Sequence, residues 1–295
     1  MINVLASSLK RPLQVLKSPA PHWVGDGFHV RTMLSYHRNG ATVSPFLLLD
    51  HGGPTEIVPS LKPRGVDEHP HRGFETVTIV YAGELEHRDS AGSFGQISAG
   101  DVQWMTAASG VVHEEKYSQA FTEQGGTVEM VQLWVNLPAK DKMTPPRYQT
   151  LLKETIPVVE VADGAGTVRV IAGALGEAKG PAKTFTPLNL WDVRLNAGAQ
   201  ADLAVSEGDN LIVVVLHGEI TLNGSDVVHA SELALFDRSG EHFSITAHQD
   251  SKVLVLSGEP IEEPIAGYGP FVMNTEEEIK QAMLDYQSGK MGHLR

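Results

Sequence analysis

Apolar and polar residues alternate along this chain over short stretches, and most of these stretches end in glycine, proline or an acidic turn residue. ThrValThrIleValTyr (76–81) is β-branched and aromatic. After a Gly- and Asp-containing turn region at 83–95, ValGlnTrpMetThr (102–106) reads as a returning strand. TrpValGlyAspGlyPheHisValArgThrMetLeu (23–34) alternates around GlyAspGly and predicts a hairpin. SerProPheLeuLeuLeuAspHis (44–51) is an apolar strand with a polar end, where Asp50 and His51 read either as strand-end turn residues or as groups supporting a site. LeuIleValValValLeu (211–216) reads as a buried strand and is far too short to span a bilayer.

Three segments depart from this rhythm. Residues 1–22 have little periodicity and read as an extended arm. The Gly-rich stretch 164–180 lacks the ending of a phosphate loop and reads as turns between strands. Near the end, Thr275 and Glu278 fit a capping box, Ile279, Met283 and Tyr286 fall on one helical face, and Gly289 suits the stop. A helix packing that stripe against a barrel is expected.

The chain also repeats itself. ValValLeuHisGlyGluIle (214–220) matches IleValTyrAlaGlyGluLeu (79–85) at a shift of 135 residues, and the prolines and charges of 136–148 mark a boundary. Two barrels are expected: an N-terminal metal-binding domain at 1–140 and a degenerate C-terminal copy without metal at 141–295.

Candidate chemistry concentrates at 65–115. His69 and His71 stand at one end and His113 and Glu115 at the other, each pair two residues apart and so on one face of a strand. Glu114 is then expected to point to solvent. Pro70 cannot donate to a sheet ladder, which places its strand at an edge. Glu75 is a fifth ligand or, by preference, a partner that fixes an imidazole tautomer. Three imidazoles and a carboxylate without thiolate suit Fe, Mn, Co, Ni, Cu or Zn better than Mg or Ca. His87-Arg88-Asp89 resembles a kinase catalytic tripeptide, but with no accompanying phosphate loop it reads as a charged, solvated strand end.

Carried forward by 135 residues, His69 and His71 land on Ala204 and Ser206. The second pair lands on His248 and Asp250 by the same shift, or on Phe243 and Ile245 when the SerGly dipeptides are aligned.

HisProHisArgGlyPheGluThr (69–76), GlyAspValGlnTrpMetThrAla (100–107) and GlyValValHisGluGlu (110–115) resemble the pirin family, and GlnLeuTrpValAsnLeuPro (132–138) and GlyProPheValMetAsnThr (269–275) extend the match over nearly the whole chain. The resemblance implies an all-β bicupin, two cupin β-barrels with a short C-terminal helix. It implies one mononuclear metal, usually Fe(II), on His69, His71, His113 and Glu115. It implies an oxidoreductase, a quercetin 2,3-dioxygenase acting on a small phenolic substrate with O2, in which Glu115 also serves as the base. Trp104, Phe74, Met130 and Trp134 are candidates for an apolar pocket wall or for ordinary core. The family equally admits a non-enzymatic, redox-sensing iron protein that regulates a transcription factor or metabolic enzyme through protein–protein contact.

Composition narrows the setting. The net charge of −13, with no basic stripe, disfavours direct nucleic-acid binding. The absence of cysteine removes disulfides and thiolate ligands, and MINVLASSLKRPLQ reverses the order of a secretory signal. A cytoplasmic protein that is not in a membrane is expected.

Overall fold

The computed structural model describes residues 9–161 and 164–294. The chain forms two compact units, and they are not divided at a single point. One unit gathers 20–32, 46–153 and 261–295. The other gathers 33–45 and 154–260 with the N-terminal segment up to residue 19.

Each unit closes a seven-stranded antiparallel sheet over a four-stranded one. In the first, the seven strands run in the order Arg147–Leu151, Val102–Thr106, Phe74–Ala82, Gly126–Asn136, Phe46–Ile57, Phe28–Ser35, His22–Val24. The four are Gly65–His71, Val111–Tyr117, Glu84–Asp89 and Phe94–Ser98. Apolar side chains from both sheets meet between them, among them Val80, Met130 and Phe28 from one and Leu85, Ile97 and Tyr117 from the other. Gly65–His71 is the edge strand that Pro70 requires. The hairpin expected around GlyAspGly is present, with Trp23 opposite His29.

The second unit repeats this plan strand for strand. Its seven-stranded order is Pro12–Lys17, Glu232–Phe236, Asn210–His217, Ser251–Gly258, Leu188–Leu195, Gly166–Ala172, Val158–Val161. Its four-stranded order is Gln200–Ala204, His242–Ala247, Glu219–Leu222, Asp226–His229. The 135-residue shift carries Gly83 onto Gly218, and both sit between strands at positive φ, 88° and 91°. A side chain is strained in that conformation.

Two readings of the sequence change here. The described part of the N-terminal arm is a strand, Pro12–Lys17, paired with Glu232–Phe236. The stretch 164–180 holds a seven-residue strand, Gly166–Ala172, and a small hairpin, so its glycines punctuate a sheet whose ThrValArgValIleAla run carries the strand pattern. Short helices at Tyr36–Asn39 and Gln119–Gln124 have no periodic signal, being one turn or little more.

The final helix, Glu276–Gln287, starts at the Thr275/Glu278 capping box. Its buried face is Ile279, Ala282 and Asp285, with Met283 partly covered, and it packs on Val112, Phe271, Met273 and Met291. Tyr286 turns outward instead, and Asp285 takes the inward place because it meets Arg72 at 2.9 Å. Arg72 also donates through Nε to the Ser109 carbonyl at 2.7 Å.

Hydrogen bonds from Lys290, Arg72 and Gln281 hold the Asp285 carboxyl down from the ordinary 3.8 to about 2. Its contribution to stability is therefore complete above pH 3.8 and is lost as pH falls through about 2. Asp285→Asn should lower the melting temperature at pH 7 and flatten the acid limb of stability between pH 4 and 2. Circular dichroism across that range checks both effects.

Candidate metal centre

The site begins with strand pairing. His113 lies directly opposite His69 on the neighbouring strand, and a register shift follows before Glu115. On its other side the same strand pairs regularly, with Glu115 opposite His87 and His113 opposite Asp89. Period-two alternation then aims His69, His71, His113, Glu115, His87 and Asp89 into the barrel.

Three of the four expected ligands converge. His69 Nε2 lies 3.1 Å from His71 Nε2 and 2.9 Å from His113 Nε2. The donor atoms of this trio all fall within 4.8 Å of one another, and those of His87, His113 and Glu115 form a second group within the same limit. Glu115 is turned toward that second group. Its Oε1 accepts from Gln103 Nε2 and lies 3.1 Å from Thr78 Oγ1, while Oε2 accepts from Gln132 Nε2 at 2.9 Å.

Backbone carbonyls assign the protons on two rings. His69 Nδ1 is 2.7 Å from the Asp67 carbonyl and His71 Nδ1 is 3.2 Å from the Pro270 carbonyl. A carbonyl only accepts, so both rings carry hydrogen on Nδ1, and in the neutral form of each ring Nε2 is then bare. Burial first, and then neighbouring His69, hold the His71 and His113 imidazoles well below their ordinary 6.5. Bare, neutral Nε2 atoms facing each other at 3.1 Å repel unless a cation lies between them. The donors therefore fit a nitrogen-preferring divalent metal of the first transition row.

Residues far along the chain hold this geometry. The Pro270 carbonyl also accepts from Arg72 N at 3.4 Å. Lys142 is buried, and its Nζ donates to the Gly73 and Val272 carbonyls at 2.7 and 3.0 Å and to Asn136 Oδ1 at 2.7 Å. Gly73 has φ 90°, and a Cβ there would stand 2.0 Å from the Val272 carbonyl oxygen. Phe74 and Trp134 flank His71, with ring centroids 5.1 and 5.4 Å away. Gln132 and Trp134 are partly exposed, as is His69. Met130 belongs to the apolar core, and Trp104 stands on the opposite face of its strand from Gln103.

Several expectations give way to these contacts. Glu75 reaches no imidazole. It accepts from Thr106 Oγ1 at 2.7 Å and meets Arg147 at 3.6 Å, because it alternates with Thr78 and Phe74 across the strand. Burial raises its carboxyl to about 7. Asp50 and His51 lie within the twelve-residue strand Phe46–Ile57, where His51 pairs with Glu129 at 3.3 Å. Glu114 does face away from His113, yet it is covered by Arg88 and Lys116 rather than by water.

The main omission is His87-Arg88-Asp89. Only Arg88 is exposed; His87 and Asp89 are buried. His87 Nδ1 is 3.3 Å from His113 Nδ1 and its Nε2 is 3.1 Å from Asp89 Oδ2. Burial pushes the Asp89 carboxyl up, but hydrogen bonds from His87 and Ser93 together leave it below its ordinary value. The missed signal was the same two-residue spacing that exposed the other pairs.

The profile of the pirin family matches residues 27–135, and that of the pirin C-terminal cupin domain matches 190–292. A Pseudomonas aeruginosa protein, named provisionally as a quercetin 2,3-dioxygenase, is 54% identical over 96% of this chain and 98% of its own length. The chain belongs to the pirin family. A pirin-like protein of Solanum lycopersicum is 38% identical, over 99% of this chain and 97% of its own. The crystal structure of an Acinetobacter baumannii quercetin 2,3-dioxygenase superposes with a TM-score of 0.95 at 50% identity, over 97% of this chain and 99% of that one. The fold of this pirin is accordingly the all-β bicupin. Among the described residues, no helix is long and apolar enough to cross a membrane.

In the second cupin the partners equivalent to His69 and His113 are Leu203 and Phe243, again directly opposite one another, with Ile245 opposite Ala201. All four are buried in the apolar core. His248 and Asp250 lie beyond the strand His242–Ala247 and are exposed, so the SerGly alignment is the structural one.

A metal that binds only the folded trio at about 100 times its Kd adds about 2.7 kcal/mol of stability, roughly 5–10 °C in melting temperature. Calorimetry with and without Co(II) should find that shift in the natural protein. His71→Ala should abolish it.

Proposed function

We propose that this pirin is a metal-dependent dioxygenase that cleaves quercetin or a related flavonol with O2, using one Fe(II) held by His69, His71, His113 and Glu115. Mn, Co, Ni, Cu and Zn suit the same donors. The reading is supported by the bare Nε2 atoms of His69 and His71 facing one another beside His113. The names of its relatives, carried by proteins that match nearly the whole chain, supply the substrate class. Leu203, Phe243 and Ile245 leave the second cupin without ligands at the equivalent positions, so we assign the chemistry to the first cupin alone. The cysteine-free chain suits work in the cytoplasm.

When bound, the metal supplies a redox-active Lewis acid that lowers the charge cost of a deprotonated flavonol. The remaining work falls to side chains. Partly exposed Trp134 offers a flat apolar face beside His71 for a flavonol ring, with the buried Phe74 ring packed against it at 4.3 Å between centroids, and partly exposed His69 leaves the trio open on one side.

Glu115 takes the proton of the flavonol 3-hydroxyl. Gln103, Gln132 and Thr78 already surround its carboxylate with donors, so the group has partners whether or not it ligates the ion. A base so placed keeps its orientation while it gains a proton.

Glu115→Gln should keep most of the metal and lower turnover about 10²–10⁴-fold, the usual worth of a general base. Elemental analysis paired with oxygen uptake on quercetin checks this. Unchanged oxygen uptake would remove Glu115 from the reaction, and iron-loaded protein that turns over no flavonol in a phenolic panel would overturn the enzymatic reading.

A further inference from the structure

We infer that His87 and Asp89 form a positioning pair for the metal centre, fixing His113 in the tautomer that leaves its Nε2 bare toward His69 and His71. The inference rests on the reading of the trio as metal ligands. It concerns residues which that reading leaves unassigned.

The geometry runs as a chain of acceptors. Asp89 Oδ1 is occupied by the Ser93 backbone N–H at 2.9 Å, leaving Oδ2 for His87 Nε2 at 3.1 Å. A carboxylate only accepts, so His87 gives it the Nε2 hydrogen, and a ring carrying that one hydrogen presents a bare Nδ1. His113 Nδ1, 3.3 Å away, then carries the hydrogen shared between the two rings. The hydrogen that would otherwise sit on His113 Nε2, the preferred site in a free neutral imidazole, would occupy the 2.9 Å gap to His69. Among the described residues no carbonyl performs this task for His113 as Asp67 and Pro270 do for the other two rings. The His87–Asp89 pair stands in that place.

The pair is held rigidly. His87 stacks on Tyr148 at 4.6 Å and 18°, and Tyr148 donates to Gln103 Oε1 at 2.9 Å. Gln103 in turn donates to Glu115, so the ring that orients His113 and the carboxylate beside the trio share one support. His87 is 1% exposed. A polar side chain buried that deeply is stabilised by making both of its hydrogen bonds.

Two measurements test the assignment. The first needs no metal: long-range 1H–15N spectra of the metal-free protein should show His113 protonated on Nδ1 in the natural sequence. In His87→Leu the hydrogen should move to Nε2. The second is a Co(II) titration against a competing chelator. His87→Leu should weaken Co(II) binding about 10–100-fold, the usual effect of losing such a partner. His87→Asn, whose amide oxygen can replace the Nδ1 acceptor, should recover most of that loss. If His87→Leu does not fold, the natural protein's spectra and the Asn variant still decide. An Nε2-protonated His113 in the natural protein would overturn the inference, as would equal Co(II) affinity in the Leu and Asn variants. Two Co(II) per chain falling to one in His87→Leu would overturn it too, making His87 a ligand. Loss of Co(II) binding in the natural protein with the tautomer as expected would instead sink the metal reading and leave the tautomer assignment standing.

Discussion

Two imidazole nitrogens held bare and face to face are the constraint on which the rest of the first cupin depends. His69 and His71 each give their Nδ1 hydrogen to a backbone carbonyl, which leaves two lone pairs 3.1 Å apart inside a barrel. An unsatisfied buried acceptor such as His71 Nε2 costs about 1–3 kcal/mol. Folding tolerates this only because the surroundings fix each ring independently. Asp67 lies on the same strand as His69. Pro270 is brought to His71 by the segment that also gives Val272 to Lys142 and Phe271 to the helix contact.

The second cupin shows what the same plan becomes without that constraint. Strand order, sheet pairing and the Gly83/Gly218 turn are retained. At the paired positions, however, Leu203 and Phe243 bury aliphatic and aromatic surface, worth about 1.5–3 kcal/mol for each side chain. The interior of that barrel is continuous and apolar from Val168 to Val255. In the first barrel the apolar cluster around Val80 and Met130 gives way to Thr78, Gln103, Gln132 and Glu115. One barrel has exchanged packing energy for a buried polar cluster and the other has not.

Much of this was legible in the sequence because strands have a period of two. His69 with His71 and His113 with Glu115 follow from spacing alone, and Pro70 marks the edge strand. The quoted motifs become contacts: Gln132 meets Glu115, Trp134 flanks His71, Asn136 holds Lys142, and Pro270 fixes a tautomer. What escaped was partnership at a distance. Glu75 sits on the strand Phe74–Ala82, where Phe74 and Thr78 face the site, so its parity puts it on the other face, against Thr106 and Arg147. Tyr286 fitted the helical stripe, yet Arg72 draws Asp285 inward in its place. His87-Arg88-Asp89, without the phosphate loop of a kinase, reads as a charged, solvated strand end, although alternation implies that the two neighbours of exposed Arg88 are buried.

That last case carries a more general consequence for sites built on β-barrels. A charged residue between two titratable ones on a strand says nothing against burial of the flanking pair. Here Arg88 covers Glu114 on the outside while His87 and Asp89 work on the inside, so one tripeptide serves two faces with unrelated tasks. The same division recurs across the strand partner, where Glu114 belongs to the outer ion pair and His113 and Glu115 to the inner polar cluster. Charge reversal at exposed Arg88 would act on surface electrostatics, which solvent screens. Changes at His87 act where screening is weak and each hydrogen bond counts in full. The inner face of these two strands therefore has far less freedom to vary than their outer face, though both are rich in charged residues.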